Sequence, residues 1–242
     1  NPRDAELLLD MGVDQIGSVI PSAQTWKDPV LKKTVEQVQS KQGKSSLIPL
    51  FRDPDTLCRA VEYYHPDLIH FCDDLLNPET DLIRQGVTIQ KTLKARFPWL
   101  GIMRTLPLPK EKEGGGRDFF YSMQRFEPWS DYFLIDTWVP VSPVDGFIGI
   151  TGETCDWRMA ASLVKSASIP VILAGGLSPD NVYEAILAVN PAGVDSCTGT
   201  NMRNEYGRPI RFKKDFNRVR RFIDEIQRAE NRLTGREPTS KN

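Results

Sequence analysis

Three short segments in the second half of this sequence end in residues able to do chemistry. Leu134-Ile135-Asp136-Thr137 is an apolar run closed by an acid. If that run is a strand, Asp136 stands at its C-terminal end, where a carboxyl group can exchange a proton with a bound molecule. A helix cap or loop anchor is its other reading. Leu173-Ala174-Gly175-Gly176-Leu177-Ser178-Pro179-Asp180-Asn181-Val182 places two glycines ahead of a helix that opens on Ser-Pro-Asp. Glycine lets the backbone approach a ligand closely, and the free N–H groups of a helix start attract anions. Val194-Asp195-Ser196-Cys197-Thr198-Gly199-Thr200 is a second short strand ending in small residues. One glycine-rich turn is a weak sign, whereas two on consecutive strand–helix units match the recurrent phosphate site of α/β barrels. Ordinary tight turns are the competing reading.

Other chemistries are poorly served. The histidines, His65 and His70, are separated by Pro66 and cannot share a helical face, and no cysteine or carboxylate completes a ligand pattern, so no metal site is expected. The four cysteines (Cys58, Cys72, Cys155, Cys197) are scattered without a CxxC, which makes a reducing cytoplasm the default location. A net charge of −1 argues against a dedicated nucleic-acid binder. Basic residues do gather after Arg203, notably Arg218, Arg220 and Arg221, and read as a solvated helix face, with a polyanion-binding tail as the alternative. No apolar run nears the roughly 20 residues that span a bilayer, so no membrane partner is expected.

The elements that must position these segments alternate with regularity. Strand-like runs at 15–20, 46–51, 67–72, 101–106, 131–136, 170–174 and 193–196 are separated by helical stretches at 29–43, 53–64, 80–97, 117–126, 156–166 and 179–189. A capped helix opens the chain at Asn1-Pro2, and another runs over 214–232. With 242 residues, 40% of them hydrophobic, this alternation predicts α/β architecture: a (β/α)8 barrel forming one domain over 1–233, with a polar tail at 234–242. A doubly wound open sheet is the alternative, weakened by the lack of GxGxxG after an early strand. Seven strands leave two unpaired edges, so a further strand before Asn1 is expected. The long connections at 107–116, with its Gly114–Gly116 run, and at 137–154 would lie at the barrel mouth, the first as a closing lid or a surface loop.

Thr151-Gly-Glu-Thr-Cys-Asp-Trp157, Ala174-Gly-Gly-Leu-Ser-Pro-Asp-Asn-Val182 and Gly193-Val-Asp-Ser-Cys-Thr-Gly199 resemble, in the same order, motifs of the phosphoribosylanthranilate isomerase family. Leu134-Ile-Asp-Thr137 is similar to that family's L-L-D-T strand. The resemblance implies a barrel of the ribulose-phosphate-binding type and a cofactor-free Amadori rearrangement of a phosphorylated sugar amine in tryptophan biosynthesis. It implies that Asp136 is the general acid and that Gly175, Gly176, Cys197, Thr198 and Gly199 cradle the phosphate.

Several positions depart from the family pattern. The family's general base, a cysteine of its first strand, has no counterpart after Asn1, so the expected upstream strand would carry it. Cys72, at the end of the fourth family strand, is the nearest substitute, its other reading being a small buried hydrophobe. Trp26, with Lys27 adjacent, stands where the family has its anthranilate-binding arginine, and His70-Phe-Cys-Asp73 replaces Q-L-H-G. Lys27 and His70 are therefore the candidate substrate-binding residues, and Glu153 takes the place of a family lysine. A paralogue that keeps the phosphate site but acts on another phosphosugar, or only binds, is the alternative function.

Overall fold

The computed structural model describes residues 1–76, 81–110 and 119–235. Helix α1 (Pro2–Asp10) begins with the Asn1 side chain accepting from the Asp4 amide and leads into β1 (Gln15–Ile20). There follow α2 (Pro29–Ser40), β2 (Lys44–Pro49), α3 (Pro54–Tyr64), β3 (Leu68–Phe71), α4 (Leu82–Arg96) and β4 (Gly101–Leu108). The second half continues with α5 (Phe119–Phe126), β5 (Tyr132–Thr137), α6 (Trp157–Ser166), β6 (Val171–Leu173), α7 (Val182–Val189), β7 (Gly193–Val194) and α8 (Phe216–Leu233). Helices α2, α3, α6 and α8 start at Asp28, Asp53, Asp156 and Asp215, whose carboxylates accept from first-turn amides that have no partner within the helix.

Strands β1 to β7 form one parallel sheet in chain order. Alternate residues point to opposite faces, as strand geometry demands. On the inner face, Leu68, Met103, Leu134 and Ala174 from four successive strands pack together. On the outer face, Phe71, Ile102, Phe133 and Val171 pack against helices. The sheet is strongly curled: Lys44 on β2 reaches the Tyr132 hydroxyl on β5 at 3.1 Å, three strands away. This is the barrel-type architecture predicted from the alternation.

Local differences from the sequence reading have physical causes. Strand β4 continues through Pro107, which pairs in register with Asp136. Proline needs no ladder donor if its N faces away from a partner, so the connection at 107–116 starts later than expected. Its glycine run and the polar tail from 236 lie outside the described residues. Helix α7 begins at Val182, and Ser178-Pro179-Asp180 forms a turn before it: the Asn181 side chain accepts from the Ser178 amide and donates to the Gly176 carbonyl. The predicted helix start at Ser-Pro-Asp is thus corrected. A short antiparallel hairpin, β8 (Asn201–Arg203) and β9 (Pro209–Lys214), stands between β7 and α8 and was not foreseen.

The end of the barrel remote from the strand C-termini is clamped by two aspartates in equivalent places. Asp67, ahead of β3, accepts from the amide and hydroxyl of Ser45 on β2 at 2.8 and 2.6 Å. Asp131, ahead of β5, accepts from the Ile102 amide on β4 at 2.6 Å and from Lys94 at 2.5 Å. Ser45 is buried, so removing its acceptor leaves an unsatisfied amide. Asp67→Ala should cost about 1–3 kcal/mol in urea unfolding while leaving the affinity of the opposite end for inorganic phosphate unchanged. A variant as stable as the parent contradicts the clamp.

Candidate functional site

Asp136 lies at the C-terminal end of β5 on the inner face. Its Oδ1 accepts from the Thr137 amide at 2.7 Å. Bare backbone flanks the carboxyl on two sides: a Cβ on Gly149 would stand 3.1 Å from Oδ2, and one on Gly175 would stand 3.3 Å from Oδ1. No described cation forms an ion pair with it. Burial therefore dominates, and pushes its pKa up from the ordinary carboxylate range to about 7, against the pull of the Thr137 amide. The negative charge of Asp195, just beyond β7, adds to the rise.

The two glycine-rich turns meet beside this carboxyl. Gly176 has φ +58°, and a Cβ there would lie 2.6 Å from the Glu153 carbonyl carbon. Gly199 is closer still to its neighbour, because a Cβ would overlap the Leu177 carbonyl oxygen at 2.0 Å. Only glycine fits either position, which explains the spacing that marked these turns in the sequence. The Ser196 hydroxyl donates to the Leu177 carbonyl at 2.7 Å, joining the turns. From below, the Lys214 ammonium donates to the carbonyls of Ser196 and Cys197 and to the Thr200 hydroxyl at 2.8–3.0 Å. Arg218 Nε donates to the Gly199 carbonyl at 2.9 Å. The amides of Gly175, Gly176 and Cys197, which line the two turns, have no acceptor among the described residues. A gap lined by such amides suits a phosphate dianion. The short helix Thr198–Thr200 completes this side.

The remaining sequence candidates separate. Cys72 follows β3 on the inner face and is buried; burial and the nearby charges of Asp73 and Asp136 push its thiol up to about 12. At neutral pH it is a thiol and not a thiolate, which removes the reason for placing it as a base. His70 lies one layer deeper, its Nε2 2.7 Å from the Thr105 hydroxyl, and burial pulls its pKa down to about 4. It is a neutral side chain of the barrel floor. Lys27 does not join the strand-end groups: its ammonium sits 4.8 Å over the ring of Tyr63 on the outer helix α3. Cys197 and Thr198 do stand in the turn next to Gly199.

Two groups escaped the sequence reading. Asp195 occupies the same place after β7 that Asp136 occupies on β5, and the rule that singled out Asp136, an acid closing an apolar strand, would have found it. Arg52, after β2, donates through Nη2 to the Gly146 carbonyl at 2.6 Å and so anchors the connection that crosses from β5 toward β3. That connection is further tied by the Ile148 amide to the Cys72 carbonyl at 2.7 Å and carries Gly149 over Asp136. Nothing in the local sequence marks Arg52, because its partners are 21 and 94 residues away.

The likeness to known proteins agrees with this geometry. Residues 121–225 match the family model described as N-(5'phosphoribosyl)anthranilate (PRA) isomerase. The N-(5'-phosphoribosyl)anthranilate isomerase of Methanosarcina acetivorans is 27% identical over 232 residues, covering 94% of this chain and 90% of that protein. The enzyme of the same name from Methanothrix thermoacetophila is 32% identical over 168 residues, 69% of this chain and 67% of its own length. Among solved structures, phosphoribosyl anthranilate isomerase from Thermotoga maritima superposes with a TM-score of 0.69 at 18% identity, over 94% of each chain, and shares the fold. Identity sustained over two thirds of a relative, on this barrel and through both strand-end turns, places the chain in the phosphoribosylanthranilate isomerase family.

Proposed function

We propose that the chain isomerises N-(5'-phosphoribosyl)anthranilate, and that Asp136 is the acid of the first step. The observation that carries this reading is a strand-end carboxyl bordered by the backbones of Gly149 and Gly175, with no described cation paired to it and paired glycine turns beside it, in surroundings that raise its pKa. A protonated Asp136 donates to the ribose ring oxygen. The C1′–O bond breaks, and the amine lone pair forms the C=N bond of an open-chain Schiff base. A general base, a role that the family resemblance gives to a cysteine, takes the C2′ proton to leave an enolamine, and the ketose forms as the C2′ hydroxyl loses its proton and C1′ takes one up. No net oxidant is needed, because C1′ is reduced as C2′ is oxidised. The phosphate, gripped between Gly175-Gly176 and Cys197-Thr198-Gly199, fixes the sugar so that its ring oxygen meets the acid, and binding energy remote from the reacting atoms serves orientation.

The alternative, a barrel that binds phosphosugars without this reaction, is separated by assay with the fluorescent anthranilate substrate. Turnover supports the isomerase; phosphate binding without turnover supports the alternative. Within the isomerase reading, Asp136→Asn keeps the acceptor for the Thr137 amide but cannot donate a titratable proton, and kcat should fall by about 10²–10⁴-fold. Near-parental kcat contradicts the assignment. Gly176→Val should displace the turn at 152–153 and raise KM by about tenfold or more with a smaller change in kcat. An unchanged KM puts the phosphate elsewhere.

Stability gives an independent reading of the same carboxyl. Its pKa is about 7 folded against an ordinary 3.8, so folding favours the protonated form. That contribution is complete below about pH 4 and is lost as pH rises through 7. Calorimetry of Asp136→Asn should therefore show a Tm that gains on the parent's between pH 5 and pH 8. Parallel Tm profiles across that window contradict the raised pKa.

A further inference from the structure

The amides that line the gap between the two glycine turns are neutral, and the cations beside it are committed to other acceptors. An ammonium has three protons to donate, and Lys214 places them on the Ser196 and Cys197 carbonyls and the Thr200 hydroxyl at 2.8–3.0 Å. Arg218 gives Nε to the Gly199 carbonyl at 2.9 Å, and its Nη2 lies 3.7 Å from Asp180. Lys110 pairs with Glu153, whose backbone abuts Gly176, at 3.2 Å. A dianion in the gap would take backbone hydrogen bonds but would lack, from these three groups, the stronger bond that a charged donor makes.

The hairpin β8–β9 stems from this same place. Its first residue, Asn201, follows Thr200 directly, and at its other end the Asp215 amide donates to the Thr200 carbonyl at 3.0 Å. Between the pairs Asn201–Lys214 and Arg203–Pro209, β8 has Met202 alone, whereas β9 has Ile210, Arg211, Phe212 and Lys213. Such a bulge breaks the alternation of side chains and re-aims them. Within it Phe212 has φ +61°, a left-handed conformation that is strained for an aromatic residue, and its ring is half exposed, so deep packing does not repay the strain. Arg211 lies at the bulge. Its Cζ is 4.8 Å from the Phe212 ring, and its guanidinium has no carboxylate or other acceptor among the described residues. Burial raises the pKa of the Cys197 thiol, and the positive charges of Lys214 and Arg211 oppose that rise, so the charge at the bulge is felt at the turn that borders the gap.

We propose that Arg211 is the charged member of the phosphate cradle, its guanidinium reaching from the bulged hairpin to donate to the outer oxygens of a phosphate held between Gly175-Gly176 and Cys197-Thr198-Gly199. This rests on the phosphate reading of the two turns and extends it to a residue outside them. The planar fork of N–H groups suits two phosphate oxygens at once, and the bulge is what aims it. The amides then fix where the phosphate sits, and Arg211 supplies charge for how tightly it is held.

Inorganic phosphate is titrated calorimetrically into the full chain at pH 8, where it is a dianion. Arg211→Gln should weaken binding about tenfold, the loss of one charged hydrogen-bond donor. Arg211→Lys keeps the charge without the fork and should lose only about threefold. Arg208→Gln, at the turn between β8 and β9, should bind as the parent does. Added sodium chloride should lower the parent's affinity more steeply than that of Arg211→Gln, because an exposed charge is screened. In turnover, Arg211→Gln should raise KM with a smaller change in kcat. Parent-like affinity or a parent-like salt slope in Arg211→Gln, or an equal loss in Arg208→Gln, overturns the role of Arg211 and leaves the cradle standing. A parent chain that binds no phosphate overturns both.

Discussion

The desolvation of one carboxyl group without a cation to offset it is the constraint on which the mouth of this barrel depends. Asp136 could have been paired, as Asp73 is paired twice over, and would then be a fixed anion. Instead it is bordered by the backbones of Gly149 and Gly175, which bring low-dielectric surface close without supplying charge. Burial outweighs the one amide that favours the anion and raises the pKa to about 7. The lysine and arginine next door are turned to other work, fastening the carbonyls of Ser196, Cys197 and Gly199.

The two ends of the barrel are built on opposite principles. At the strand N-termini, Asp67 and Asp131 are ionic acceptors that satisfy neighbouring strands, which is a stability device. Between the ends, Leu68, Met103, Leu134 and Ala174 fill the interior, with neutral His70 and Thr105 bonded to each other above them. At the strand C-termini the chain accepts close contacts that only glycine permits, at Gly176 and Gly199, to bring two turns together.

Much of this was legible in the sequence, and for identifiable reasons. Short-range signals did well: the capped helix at Asn1-Pro2, the strand alternation, and the glycine spacing of 175–176 and 199 all act within a few residues. Long-range charge did not. Lys27 looked like a mouth cation because of its place after β1, yet Tyr63 holds it outside. Arg52, the cation that does reach the mouth connection, is fixed by Asp73 and Gly146, contacts that no window of sequence contains. Cys72 was placed well, at the mouth end of its strand, but its burial and acidic neighbours decide its protonation, and those depend on the assembled fold. The hairpin β8–β9 lacked the apolar alternation that marks a half-buried strand, since most of its residues are exposed.

The proposed chemistry depends on the protonation of Asp136, and a carbon-13 titration of the carboxylates reads it directly. With Asp136→Asn used to assign its resonance, the carboxyl shift of Asp136 should move with a midpoint at about 7, well apart from the bulk of the aspartates. A midpoint below about 5, within the ordinary aspartate range, would contradict the account, since the group would then be an anion at neutral pH with no proton to give.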